Sequence, residues 1–332
     1  TFDEMSCVKK PLRQSLSNFF SIDFGHAVHQ QYCEETGTSK FLVGFEQSPH
    51  QVESVLIPSI TDQRRGGRFE QRRGTLCISS QVGCTLSCRF CCTGNEQIGV
   101  KNLSTQQILS QVMFARHQLS DFFPHVKSSE RAITNLVFMG QGEPFYNYRA
   151  LSKALEILTD DSGLCFGKRR IVVSTSGVVP NIYKFADEWP GVQLAISLHA
   201  PNNEIRSKIM DINAQYPIET LLDACDYHQK KARFRIAFEY VLLENINDSF
   251  ENAKELVDLL MPRFTQNRSS IVNIIPFNPW KGSIFSTPSD HRTKLFAKAI
   301  EHYSGGRIRT PIRWPKGRKI EAACGQLQSQ RK

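Results

Sequence analysis

The sequence predicts an α/β protein: a parallel sheet covered by helices, built as an incomplete (β/α)6 barrel or as an open sheet. Three observations predict it. Six apolar runs recur, at 75–79, 133–139, 171–174, 192–198, 236–243 and 271–276. They are nearly continuous rather than alternating, as strands buried on both faces require. Amphipathic stretches of helical period separate them, the pattern of repeated strand–helix units. Eight units would close a full barrel, and six are present. In either arrangement ligands sit at the carboxyl ends of the strands.

Residues 1–60 break this pattern. They hold an early helical segment and two short alternating runs, 41–45 and 52–57, and read as a small N-terminal α+β accessory element. The Gly- and Arg-rich stretch 61–73 reads as a loop or linker, residues 74–327 as the core with a C-terminal extension, and 328–332 as a tail. Three helices have legible ends. Ser104-Thr105-Gln106-Gln107 reads as a capping box opening a helix toward His117. Asp248-Ser249-Phe250-Glu251 opens a second, which Pro262 is expected to close. Ser289 or Asp290 opens a third, ended by Ser304-Gly305-Gly306.

A chain of 332 residues suits one large domain with an appended piece, or two ordinary domains. Hydrophobic residues at 40% and charged residues at 22% exclude a mainly disordered chain. No apolar run reaches the roughly 18 residues of a membrane span, so no membrane association is expected. The first twenty residues lack the apolar stretch of a signal peptide. The chain opens on Thr rather than Met, so the N-terminal element is expected to be truncated. The net charge is +9 and clustered: Arg64, Arg65, Arg68, Arg72 and Arg73; Lys168 to Arg170; Lys230, Lys231, Arg233 and Arg235; and six cations between Arg307 and Lys319. Such clusters favour a polyanionic partner, nucleic acid first.

Ten cysteines is many for a chain with no secretory signal. Cys7, Cys33, Cys165 and Cys225 stand alone, whereas Cys77, Cys84, Cys88, Cys91 and Cys92 crowd together. That distribution fits metal or redox chemistry in a reducing compartment better than a disulfide framework. The sharpest signal is Cys84-Thr-Leu-Ser-Cys88-Arg-Phe-Cys91, just after the first strand of the barrel. Three thiolates so spaced can hold one corner of an iron–sulfur cluster and leave one iron open to a small molecule. Structural zinc, the competing reading, usually takes four closed ligands in CxxC pairs. Cys92 adjoins Cys91, points elsewhere and is not counted as a ligand.

At this point the chain resembles the radical SAM enzymes, and among them the RlmN/Cfr family of RNA adenine methyltransferases. Five segments carry the resemblance in order: Arg73-Gly-Thr-Leu-Cys77-Ile-Ser-Ser-Gln81, Met139-Gly-Gln-Gly-Glu143-Pro, Ser174-Thr-Ser-Gly-Val-Val-Pro180, Ile196-Ser-Leu-His-Ala-Pro201 and Ala322-Ala-Cys324-Gly-Gln-Leu327. It implies a radical SAM barrel with a 4Fe-4S cluster on Cys84, Cys88 and Cys91, and S-adenosyl-L-methionine (SAM) at Gly142, Glu143, Ser174, Ser197, Leu198, His199 and Asn278. Gly140-Gln-Gly142 alone could suggest a dinucleotide loop, but Phe145 stands where its last glycine belongs.

The resemblance also implies the chemistry. Adenine carbon 2 is electrophilic and not acidic, so base-assisted methyl transfer from SAM fails there, and the family uses covalent catalysis. A cysteine matching Cys324 takes a methyl group from one SAM. A second SAM yields the radical that activates this S-methyl group for addition to the ring. Cys77 then helps resolve the adduct through a transient disulfide with Cys324. Glu53 matches the family's proton acceptor.

RlmN-type enzymes methylate carbon 2 and Cfr-type enzymes carbon 8; Glu143-Pro144, Ser174-Thr-Ser-Gly and Pro276-Phe-Asn-Pro279 lie on the RlmN side. The implied substrates are 23S rRNA at the peptidyl-transferase centre and tRNA beside the anticodon. The implied donor is flavodoxin or ferredoxin, and the protein is expected to be a cytoplasmic monomer, or to work in an organelle with bacterial-type ribosomes. A non-catalytic Fe-S RNA-binding protein on the same scaffold is the reading from another class; it would lack Cys77 or Cys324, and both are present. Three stretches depart from the family's pattern: the arginine-rich 62–73, the wording after Cys91, and the basic 314–321 before Cys324.

Overall fold

The computed structural model describes residues 2–46, 48–58, 74–96, 99–121, 131–232, 234–264 and 270–328. The arginine-rich stretch 62–73 and Arg233 lie outside them. Along the chain run α1 (Lys10–Phe19), β1 (His26–Cys33), β2 (Thr38–Phe45), β3 (Ser48–Pro58), β4 (Gly74–Cys77), β5 (Gln81–Val82), α2 (Cys92–Asn95), β6 (Lys101–Asn102) and α3 (Thr105–Gln118). Then come β7 (Ile133–Phe138), α4 (Tyr148–Thr159), β8 (Ile171–Thr175), α5 (Val179–Glu188), β9 (Gln193–Ser197), α6 (Asn203–Ile209), α7 (Ile218–Lys231), β10 (Ala237–Leu242), α8 (Phe250–Phe264), β11 (Ser270–Pro276), α9 (Asp290–Tyr303) and β12 (Ile308–Arg309).

One ten-stranded sheet organises the molecule, in the order β1-β2-β3-β4-β7-β8-β9-β10-β11-β12. Within this sheet every pairing from β4 onward is parallel, while β5 and β6 form a separate antiparallel pair. All six strands expected from the apolar runs are there, and the short β12 adds a seventh that the sequence did not announce. The N-terminal strands pair antiparallel, and β3 joins β4 directly, with Val55 opposite Cys77. The accessory strands therefore continue the core sheet. They also number three rather than the two read from the sequence. β1 escaped notice because nearly all its side chains are exposed and carry no apolar alternation.

Alternation within the parallel strands gives the sheet two faces. Leu76, Leu136, Phe138, Val173, Leu194, Ile196, Phe238, Tyr240 and Ile274 point outward and are buried under helices. Phe238 meets Phe264 of α8 at 5.0 Å, Tyr240 meets Phe296 of α9 at 5.4 Å, and Phe41 of β2 meets Phe114 of α3 at 5.5 Å. The other face looks into the barrel and carries polar side chains. Ser197, Glu239 and Asn273 lie level on β9, β10 and β11, since Glu239 is in register with both its neighbours.

The caps refine the expected helix ends. Ser104 and Gln107 form the complete capping box of α3. For α8 the cap is Ser249, exchanging bonds with Asn252, while Asp248 accepts from the Asn245 N–H instead. Pro262 does not close that helix but lies inside it, two residues before its end. A proline near the last turn forfeits one backbone bond, and the burial of Leu260 and Phe264 on either side offsets that loss. Gly305 and Gly306, both left-handed, end α9, with the Gly306 N–H bonded back to the Glu301 carbonyl.

Candidate active site

The loop 83–95 leaves the barrel mouth at the end of β4. Its base is pinned where β5 pairs with β6. The Gln81 side chain ties it to the β7 loop: Oε1 accepts from the N–H groups of Thr85 and Glu143, and Nε2 donates to Thr85 and Asn102. The loop's far side docks on the end of α6, through the Arg89 N–H to the Ile209 carbonyl (3.0 Å) and the Ser87 N–H to Asp211 (3.2 Å).

Cys84, Cys88 and Cys91 face one another closely enough that their charges interact. Burial first and the neighbouring Cys91 second push the Cys84 thiol up to about 12. Burial, then the other two cysteines, raise Cys88 well above the ordinary thiol value. Burial also raises Cys91, opposed by bonds from the Gly94 and Thr93 backbone. The Leu86 N–H points at Cys84 Sγ from 3.4 Å. Three crowded thiols, unfavourable as bare thiolates but supplied with N–H donors, need positive charge among them. Among the described residues no three His, Cys, Asp or Glu side chains converge on a single-ion position. A cluster demands no such convergence, because each thiolate reaches its own iron. The residues present fit a cluster.

Beside this loop lie the positions expected to hold SAM. Gly142 adopts φ +94°, and a Cβ there would stand 2.8 Å from the Gln81 nitrogen, so the tight β7 loop demands glycine. Glu143 is buried, which raises its pKa, while N–H bonds from Phe145 (3.0 Å) and Ser176 (2.7 Å) favour its charged form. Ser174 and Ser197 are half-buried at the ends of β8 and β9, and Leu198 is fully buried. His199 follows in a left-handed conformation (φ +58°), costly for a residue with a Cβ. Its Nδ1 accepts from the Val241 N–H at 2.9 Å, and burial pushes its pKa down to about 3, so the ring is neutral with its hydrogen on Nε2. Asn278 is committed to the C-terminal segment: Nδ2 donates to the Cys324 carbonyl (3.1 Å) and Oδ1 accepts from Arg318.

The segment 314–328 crosses the barrel mouth and is tied down on three sides. The Cys92 N–H donates to the Gly325 carbonyl (2.7 Å) and Thr93 to the Leu327 carbonyl (2.7 Å). Gln326 donates to the Pro279 carbonyl at 2.7 Å. Toward the N-terminal strands, Lys40 bonds the Glu321 carbonyl (3.0 Å), Lys316 the Pro58 carbonyl (3.0 Å), and the Gln328 N–H donates to Glu53 Oε2 (2.8 Å). Ala322 and Leu327 pack with Val55 around Cys77, which is buried on the inner face of β4. Burial raises the Cys77 thiol, and Cys324 is near enough that its charge raises it further. Cys324 itself is open to solvent; the surrounding protein and then Glu239 push it up to about 11.

Glu53 completes this arrangement from β3. It is 1% exposed and ion-paired to the equally buried Lys40 at 3.0 Å. The cations of the basic stretch before Cys324 are largely bonded to the protein while remaining exposed or half-buried: Arg313 bonds Asn273, Arg318 bonds Asn278, Lys316 bonds Pro58, and Lys319 pairs with Glu35. Trp280 donates to the Phe90 carbonyl of the cysteine loop, a bracing role, whereas Trp314 is exposed.

Sequence reasoning missed Glu239. Its carboxyl takes a 2.6 Å bond from Asn273, is buried at the barrel wall near Cys324, and burial raises its pKa to about 7. An acidic residue inside an otherwise apolar strand, Ile236-Ala-Phe-Glu239-Tyr-Val-Leu-Leu243, was the available signal.

Comparison with known proteins gives three findings. The sequence model described as the radical SAM superfamily matches residues 78–257. The dual-specificity RNA methyltransferase RlmN of Rhodopseudomonas palustris (strain BisB5) is 43% identical over 99% of this chain and 79% of its own length. The protein of the same name from Rhizobium meliloti (strain 1021) is 44% identical over 99% of this chain and 78% of its own. Among solved structures, a radical SAM methyltransferase from Sphaerobacter thermophilus superposes with a TM-score of 0.85 at 36% identity, covering 99% of this chain and 88% of that one.

Proposed function

Because the chain belongs to the radical SAM superfamily and, within it, to the RlmN family of RNA methyltransferases, we propose that it methylates carbon 2 of an adenosine in 23S rRNA, in tRNA beside the anticodon, or in both. Cys84, Cys88 and Cys91 hold a 4Fe-4S cluster. Gly142, Glu143, Ser174, Ser197, Leu198, His199 and Asn278 line the place of SAM. Cluster and SAM together supply one-electron chemistry that generates a carbon-centred radical. The observation that carries this reading is the seating of Cys324 beside both Cys77 and the cysteine loop.

The protein's own groups do the rest. Cys324, solvent-accessible at the mouth, accepts a methyl group and presents it to an adenine splayed out of its loop. Cys77, held on the adjoining strand, then attacks the Cys324 sulfur: the S–S bond forms as the sulfur–carbon bond to the modified base breaks. Glu53, paired with Lys40, accepts a proton during this resolution. The N-terminal strands and the exposed Arg307 and Arg309 contribute RNA docking through phosphates. A flavodoxin or ferredoxin serves as electron donor. Among the described residues no helix is long and apolar enough to cross a membrane; we assign the protein to the cytoplasm, acting as a monomer.

The test is nucleoside mass spectrometry on unmethylated rRNA and tRNA incubated anaerobically with reconstituted protein, SAM and a reductant. A 2-methyladenosine peak is expected. An 8-methyladenosine peak would move the protein to the Cfr side, and neither product, with cluster and SAM cleavage intact, would overturn the reading. Cys324→Ala should abolish RNA methylation while SAM cleavage remains measurable; a methylating mutant would refute the covalent mechanism.

A further inference from the structure

Arg206, on α6, is completely buried. Its guanidinium donates to the carbonyls of Leu198 (3.1 Å), Ser197 (3.1 Å) and Ser176 (2.7 Å), to the side chain of Asn213 (3.0 Å) and to the Tyr216 carbonyl (3.5 Å). Every one of these acceptors is neutral. The hydrogen bonds therefore satisfy the donors but not the charge, and a buried guanidinium facing only neutral oxygens is costly. The helix that carries it ends directly under the cysteine loop. The residues on both sides of Cys88 are bonded there, Arg89 to the Ile209 carbonyl and Ser87 to Asp211.

We propose that Arg206 is the counter-charge of the three-cysteine centre, a buried cation that raises the reduction potential of the cluster held on Cys84, Cys88 and Cys91. This rests on the cluster assignment made above. Reduction by an external one-electron donor adds one negative charge to the centre, and a fixed positive charge nearby stabilises the reduced form more than the oxidised one. Solvent is absent from around the guanidinium, so screening there is weak. Arg206 favours the charged form of Cys88, against a larger opposing effect of Asp211, and both Cys88 and Cys225 favour the charged form of Arg206. Burial lowers the Arg206 pKa only to about 10, so it stays a cation at neutral pH. Asp211, exposed just past the end of α6 where it accepts from the Ser87 N–H, and the buried Glu143 oppose it as negative charges, and His199 is neutral.

The same residue clamps the tips of β8 and β9, and the experiment must separate charge from clamp. Full-length protein would be reconstituted anaerobically as wild type, Arg206→Met and Arg206→Lys, and the EPR signal of the reduced cluster followed in a mediated redox titration. The counter-charge role predicts that Arg206→Met lowers the equilibrium constant for reduction at least tenfold, ~59 mV for a one-electron couple. Arg206→Lys, which keeps the charge and loses the fork, should stay near the wild-type midpoint. An unmoved midpoint in Arg206→Met overturns the inference. So does an equal fall in both variants, which would mark Arg206 as a clamp alone. Should Arg206→Met fail to fold, Arg206→Gln, which removes the charge but keeps amide donors for the carbonyls, takes its place in the same comparison. A wild-type protein that takes up no cluster would overturn the cluster assignment as well.

Discussion

At the scale of single residues, the centre is a set of groups whose charged forms are held in check until needed. Cys324 illustrates it. Above about pH 7 Glu239 is ionised, and its negative charge raises the neighbouring thiol. Glu239→Gln removes that charge while keeping a side chain able to bond Asn273. The Cys324 thiol should then fall by half to one pKa unit, giving roughly three- to tenfold more thiolate at pH 8. Labelling of Cys324 by iodoacetamide, followed by peptide mass spectrometry, reads this directly, and an unchanged rate would rule the coupling out. Residues of this kind differ in how far the sequence betrays them. Cys84, Cys88 and Cys91 share one loop, so their spacing alone carried the signal. Glu239 hid in an apolar run, and Arg206 hid among the charges of an amphipathic helix, because burial is a property of packing that spacing does not encode.

At the scale of elements, strands and caps were legible wherever side chains alternate or a hydroxyl precedes a helical period, as at Ser104. β1 was not, since an exposed edge strand lacks that alternation. The packing of α5 on α7 was equally hidden, and it contains a pH-sensitive joint. His228 of α7 lies flat against Phe185 of α5, 6.0 Å between ring centres, with neither ring nitrogen hydrogen-bonded among the described residues. Burial lowers its pKa from 6.5 to about 4. A histidine depressed in the folded state binds its proton more readily when unfolded, so stability is lost as pH falls from 6.5 toward 4. The loss contributed by this side chain reaches up to about 3 kcal/mol. His199 is depressed to about 3 and acts in the same sense. Denaturant melts of wild type and His228→Phe between pH 4 and 7 should show a shallower pH slope for the variant; parallel slopes would assign the acid sensitivity elsewhere.

At the scale of the whole molecule, the two ends of the chain are joined through the site. Lys40 binds both Glu53 and the Glu321 carbonyl, and Glu53 also accepts from the Gln328 N–H. Nothing in the sequence pairs Lys40 with Glu53, because the pairing depends on the register of β2 against β3 and on a segment more than 250 residues further on. Removing one partner of a buried ion pair typically costs about 3–5 kcal/mol. Lys40→Met should lower the denaturation midpoint accordingly and expose 321–328 to proteolysis; a variant as stable and as resistant as wild type would mean the pair does not hold the ends together.

The crossing of 314–328 over the barrel mouth also sets an order of events during synthesis. Cys91 and Cys324 lie 233 positions apart (324 − 91), so at usual translation speeds roughly 12–47 s separate their emergence from the ribosome. Over that interval the nascent chain carries Cys84, Cys88 and Cys91 but not Cys324. On the mechanism proposed above, a partly made chain therefore lacks the thiol that would bond covalently to RNA, and gains it only when the segment 314–328 has been made and laid across the opening.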